Sequence, residues 1–183
     1  MKKEKSPDKT VQRLTLTGIC AAAALAVSFF EHILTAALPL PPGVKPGLSN
    51  IVVMFVCFSL GLPSALAVAA IKSGFICLMS GALSGFISFC GGALSVLTMR
   101  LCFRAFKNRL SYMGISILSA AAHNAGQLAA SSLSVGSSLY LAYAPVLLAS
   151  GIIFGSVTGI ILNTVMPALL RTPFYKEVNT TEK

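Results

Sequence analysis

Six apolar stretches, separated by short polar or Pro/Gly-rich breaks, follow one another between residues 14 and 170. The first covers 14–38 and stops at Pro39, Pro41 and Pro42. The second begins near Leu48 and ends at Gly61-Leu62-Pro63, and the third covers 64–80, with Gly81 to Gly85 as the next break. A fourth, 84–106, runs into a basic cluster. The fifth starts near Ser111 and fades at Ser134 to Ser138. The sixth extends from Leu139 to Leu170, broken near Pro145 and ended by Pro167 and Pro173. A bilayer-crossing helix needs about 20 apolar residues at ~1.5 Å each. The pattern therefore predicts an all-α integral membrane protein, a bundle of six transmembrane helices. Because the second and third stretches are short, a reading with one re-entrant pair stays open.

Composition agrees with that class. The chain is 55% hydrophobic and 10% charged, against about 25% charge in soluble domains. A small soluble domain leaves too much of its area exposed to hide so many apolar residues. The basic run followed by a first apolar stretch resembles a signal peptide. That stretch is about 25 residues long and more follow it, so it reads as an uncleaved first helix.

The charge, formally +9, orients the bundle. Lys2, Lys3, Lys5, Lys9 and Arg13 form one cluster; Arg100, Arg104, Lys107 and Arg109 a second; Arg171, Lys176 and Lys183 a third. Lys and Arg are retained on the cytoplasmic side. Six spans put all three clusters there, whereas five or seven would place one outside. Residues 1–13 and 171–183 are then cytoplasmic tails around a membrane domain of 14–170. Flanking hydrophobic spans and lacking aromatic interleaving, these cations suit anionic lipid headgroups and not nucleic acid.

Cys20, Cys57, Cys77, Cys90 and Cys102 all lie in apolar runs without CxxC or metal-ligand spacing. They read as small buried hydrophobes, and no metal or cofactor is expected. Small residues let membrane helices approach closely. They recur every four positions as Gly18, Ala22 and Ala26 on the first helix and Gly151, Gly155 and Gly159 on the sixth; Gly81 and Gly85 make a third pair. Internal packing is the default for each, and the first-helix stripe also suits a partner's helix.

Ionisable and amide side chains at membrane depth are costly and therefore candidates for function. Glu31 and His32 stand near the outer end of the first helix, followed by an elbow rich in Pro and Gly that carries Lys45 and leads to Asn50. Lys72 sits mid-way along the third helix; His123, Asn124 and Gln127 lie on the fifth, with His123 and Gln127 one turn apart. The predicted topology places all eight between mid-membrane and the outer surface, where a site loaded from outside belongs. Two lysines against one glutamate favour an anionic ligand. The competing reading is a structural network, with Lys72 paired to Glu31 and the amides bonded between helices.

Enzymatic chemistry is poorly served. No phosphate-binding Gly-Lys-Ser/Thr loop occurs, Lys72-Ser73 following an isoleucine. Asp8 is the only aspartate, so the clustered acidic ligands that magnesium prefers cannot be assembled.

The elbow Pro42-Gly43-Val44-Lys45-Pro46-Gly47-Leu48-Ser49-Asn50-Ile51-Val52, with Gly91-Gly92-Ala93-Leu94-Ser95 and Ala121-Ala122-His123-Asn124-Ala125-Gly126-Gln127, resembles the Gx transporter family over about residues 12–170. Many members are labelled heptaprenyl diphosphate synthase component I. That family is similar to the substrate-binding S components of energy-coupling factor (ECF) vitamin transporters, six-helix bundles with both termini inside. The resemblance implies a multi-pass protein of the bacterial cytoplasmic membrane that binds a small molecule beneath an external loop, here the elbow with Lys45. It also implies docking of a transmembrane scaffold subunit on the stripe of Gly18, Ala22 and Ala26, with an ATPase pair supplying energy. An alternative is a non-catalytic accessory to polyprenyl diphosphate or quinone synthesis. A channel or carrier acting alone is disfavoured by the lack of an internal repeat.

Overall fold

The structure, a computed structural model, describes residues 9–39, 46–106, 110–136 and 142–171. Six helices are described: α1 (Lys9–Ala37), α2 (Ser49–Ser59), α3 (Leu62–Ser80), α4 (Ala82–Phe106), α5 (Tyr112–Val135) and α6 (Ala144–Leu170). Of these, α1, α3, α4 and α6 are both long and apolar enough to cross a bilayer. α5 is long enough at 24 residues but carries His123, Asn124 and Gln127. α2, with 11 residues, rises only ~16 Å, about half the hydrocarbon thickness. The second predicted span is thus half a helix, entered by non-helical chain at Pro46 to Leu48.

Local chemistry sets the boundaries. Leu38 and Pro39 form a turn after α1. Gly61 and Gly81 adopt φ of 89° and 88°, a region closed to residues with a Cβ, and this allows α2–α3 and α3–α4 to reverse almost without a loop. Ser111 caps α5 by accepting a hydrogen bond from Gly114 N at 3.2 Å. Pro145 falls in the first turn of α6, where its missing N–H leaves nothing unsatisfied. Pro167, which the sequence pattern makes the end of the sixth helix, lies inside α6, and the helix continues to Leu170. One missing bond near a terminus kinks a helix without stopping it.

The chain runs up and down, bringing the N-terminal end of α1 and the C-terminal ends of α4 and α6 together. Leu16, Leu60, Phe103 and Met166 share one buried cluster there, and Phe58 stacks near Phe103 and Tyr112 with ring centroids 4.5 and 5.6 Å apart. Arg13, Arg100, Arg104 and Arg171 mark this same end, the one for which the sequence predicts a cytoplasmic location. Lys2, Lys3, Lys5, Lys107, Arg109, Lys176 and Lys183 lie outside the described residues. Large apolar side chains such as Leu78, Leu101, Leu133 and Ile153 face outward, as lipid requires. α2 has no exposed large apolar residue among the described ones and forms the centre of the inner half.

Small residues build one half of the bundle. A Cβ on Gly155 would meet Ile117 Cα at 2.9 Å, and one on Gly159 would meet Met113 Cα at 2.6 Å, so α5 and α6 touch backbone to backbone. Gly91 and Gly126 do the same for α4 and α5. Gly85 packs on Cys77, while Gly81 has open space around it. The stripe on α1 departs from the internal-packing default: Gly18, Ala22 and Ala26 are not packed against another helix as the α6 glycines are, and nothing lies within 4 Å of a Cβ on Gly18.

Candidate functional site

The tight α4–α5–α6 block and the shorter α1–α2–α3 unit leave a cavity between them that all six helices line. Glu31, His32, Asn50, Lys72, His123, Asn124 and Gln127, far apart in sequence, all line it. Lys45, the eighth candidate, lies outside the described residues.

Each is placed by a local device. Asn50 is the second residue of α2, whose first turn closes through Asn50 N to Gly47 O at 3.0 Å. Its Oδ1 accepts from Lys72 Nζ at 3.1 Å. Lys72 stands ten residues into α3, at about 15 Å rise, level with the start of the half-helix α2. Glu31, 5% exposed, accepts from the backbone N–H groups of Gly47, Leu48 and Ser49 and from Ser49 Oγ at 2.9 Å. His32, next to it on α1, is exposed.

The His-Asn-Ala-Gly-Gln run has a split purpose. Gly126 packs against Cys90 and Gly91 of α4, and Gly91 against His123 and Gln127. This crossing is what turns His123 and Gln127 toward the cavity. Asn124 Nδ2 donates to Leu147 O of α6 at 2.5 Å and stands where a Cβ on Gly151 would meet it at 2.9 Å. Asn124, expected as a ligand group, therefore also fastens α5 to α6. Replacing it by alanine is expected to destabilise the protein by about 0.6–1.7 kcal/mol, the range for interhelical polar bonds in membranes. An unchanged melting curve in detergent would count against that role.

Sequence reasoning missed the hydroxyls. Ser28, Ser88, Ser116, Ser119 and Thr158 also line the cavity. Ser116 and Thr158 bond one another at 2.8 Å, but Ser28 Oγ, on a residue 8% exposed, has no hydrogen-bond partner among the described residues. Serines in apolar helices carry little signal, because most bond their own backbone one turn back. Ser28, Ser59 and Ser95 depart from this among the described residues, and of the three Ser28 lines the cavity, where a ligand would satisfy it. Apolar walls come from Met54, Phe75, Met79 and Phe154; methionine adapts its shape to an irregular guest.

The site thus offers one ammonium, three amides, two imidazoles and a free hydroxyl against an adaptable apolar wall. Such a set has the chemistry to hold a small polar molecule by hydrogen bonds and charge.

A family profile described as heptaprenyl diphosphate synthase component I matches residues 20–165, a span that includes the elbow, the Gly91-Gly92 pair of α4 and the His-Asn-Ala-Gly-Gln run. Among solved structures, the chain is similar to the S component of a bacterial ECF transporter, with a TM-score of 0.54 and 23% sequence identity, covering 95% of this chain and 99% of that one. No curated protein matches.

Proposed function

From a chain that belongs to the heptaprenyl diphosphate synthase component I family and has the fold of an ECF S component, we infer a substrate-binding membrane subunit of an energy-coupling factor type importer. One observation carries this reading: seven polar side chains from four helices, costly at membrane depth, line a single cavity. The ligand is a small anion, vitamin-like or a biosynthetic precursor. Lys72, bonded to Asn50, meets its charge, and Lys45 of the elbow sequence is the second cation of this reading. His32, His123, Asn124, Gln127 and Ser28 supply further polar contacts, with Glu31 at the elbow's inner end. The protein is itself non-catalytic and resides in the bacterial cytoplasmic membrane.

Native mass spectrometry of gently purified protein tests this reading. A small anionic molecule should travel with the protein, and adding that molecule back should raise the melting temperature. Retention of phospholipid alone would sink it.

The exposed stripe of Gly18, Ala22 and Ala26 on α1 suits a scaffold subunit's helix, and an ATPase pair would act through that scaffold. Ala22→Leu is expected to leave the isolated protein's melting temperature unchanged, since the position is exposed, and to abolish co-purification with such a scaffold. Undiminished co-purification would remove the stripe from the interface.

The family's description favours a second reading, an accessory to heptaprenyl diphosphate synthesis. Deletion of the gene then shortens or depletes the quinone side chain. Normal quinones in the deletion strain rule this reading out.

A further inference from the structure

We propose that Glu31 is the positioning residue of the cavity: its carboxylate latches the inner end of the elbow to α1 and, through Asn50, sets where the Lys72 ammonium stands. The latch rests on geometry alone. Only its effect on ligand capture depends on the binding role proposed above.

A carboxylate buried in a membrane protein costs several kcal/mol unless donors surround it. Glu31 has four: three consecutive backbone N–H groups, Gly47 to Ser49, and the Ser49 hydroxyl. Those N–H groups have a matching need. They open α2, where a helix has no internal acceptors to offer, and the residue at its N-cap, Leu48, has no side-chain acceptor. Hydrocarbon supplies none either, so non-helical backbone at this depth must be satisfied by protein or cavity water. The negative charge also faces the positive end of the α2 dipole. Gly47, at φ 72°, turns the chain so that its N–H and the next two point to one carboxylate.

The fixed turn continues into the site. Asn50 follows Ser49 directly, and its Oδ1 accepts from Lys72 Nζ at 3.1 Å. Glu31 on α1, the start of α2 and Lys72 on α3 thus form one chain of polar contacts. Loosening the first link lets the elbow and Asn50 move together, and Lys72 with them. In this role Glu31 acts through other residues.

Glu31→Gln keeps size and one acceptor oxygen but removes the charge. In full-length protein in lipid nanodiscs without added ligand, hydrogen exchange at the amides of residues 47–49 should rise at least about tenfold, as when a charge-assisted bond closing a local unit is lost. Exchange in α5 and α6 should stay at the wild-type level. Lys72 reactivity toward a membrane-permeant amine reagent, read by peptide mass spectrometry, should rise several-fold in both Glu31→Gln and Asn50→Ala. A merely structural Glu31 would leave that reactivity unmoved. Wild-type protection at residues 47–49, or unaltered Lys72 labelling, overturns the proposal. Should Glu31→Gln fail to fold, Ser49→Ala removes a single donor and should produce a smaller rise at the same amides; no rise there overturns the latch equally. Failure of these tests leaves the binding role standing, whereas a ligand-blind cavity leaves the latch standing.

Discussion

Lys72→Ala is expected to weaken ligand capture about 100-fold or more while the bundle still folds. Removing one member of a buried, hydrogen-bonded charge pair costs about 2–5 kcal/mol, and part of that is the partner left behind without a counter-charge. The ligand's anionic group would be that partner, and Asn50 Oδ1 would lose its donor as well. The fold loses less, because Lys72 lies toward the cavity and the inner core is built around Val56, Val68, Val96 and Met99. Co-purified ligand, quantified per mole of protein, should fall to background, and the variant should melt close to wild type without ligand. Lys72→Arg should retain part of the capture, since it keeps charge but not the compact ammonium. Undiminished capture by Lys72→Ala would place the anion site elsewhere.

Gly91→Ala should lower both stability and capture. A Cβ there would stand 2.7 Å from Gln127 Cγ and 2.8 Å from His123 O, and Gly126 faces the same crossing with Cys90 O at 3.0 Å. The side chain of Gln127 can turn aside, but the carbonyl of His123 belongs to the α5 backbone and cannot yield without moving the helix. Overpacking of this kind costs about 1–3 kcal/mol, and the displaced residues are two that line the cavity. Gly18→Ala is the control, with open space around the added methyl. Thermal melts in one detergent compare them: Gly91→Ala melts several degrees lower, Gly18→Ala with wild type. Equal melting of all three would mean that α4 and α5 accommodate a wider spacing.

Much of the fold is legible in the chain because membrane helices obey short-range rules. A run of apolar residues must be helical when lipid offers no hydrogen bonds, and Arg13, Arg100, Arg104 and Arg171 need only the sign of their charge to be assigned one side. Pro167 misleads because a proline's effect depends on what surrounds the freed carbonyl. The half-length of α2 shows in the shortness of its apolar run. That the chain entering it at Pro46 to Leu48 is non-helical and that this start is tied to Glu31 does not, since the tie joins residues 16 to 18 apart in the chain.

The candidate site divides the same way. Rare polar residues in an apolar chain announce themselves, so Glu31, His32, Asn50, Lys72, His123, Asn124 and Gln127 stand out by residue type and position alone. Their roles do not. Asn124 reaches Leu147 of another helix, Glu31 serves the elbow's backbone, and Ser28 stays unsatisfied inside the cavity among the described residues. Nothing in the sequence separates the exposed small-residue stripe of α1 from the packed one of α6.

Taken alone, the sequence determined which segments are apolar helices, which end of the bundle carries the basic residues and which side chains are too polar to be there without purpose. Tertiary structure decided which of those side chains face one cavity, which are consumed in holding helices together and which small-residue face stays open. The division has a physical cause: helix formation and charge placement depend on neighbours in the chain and on the bilayer. A polar group's partner is chosen by the crossing of helices far apart in sequence.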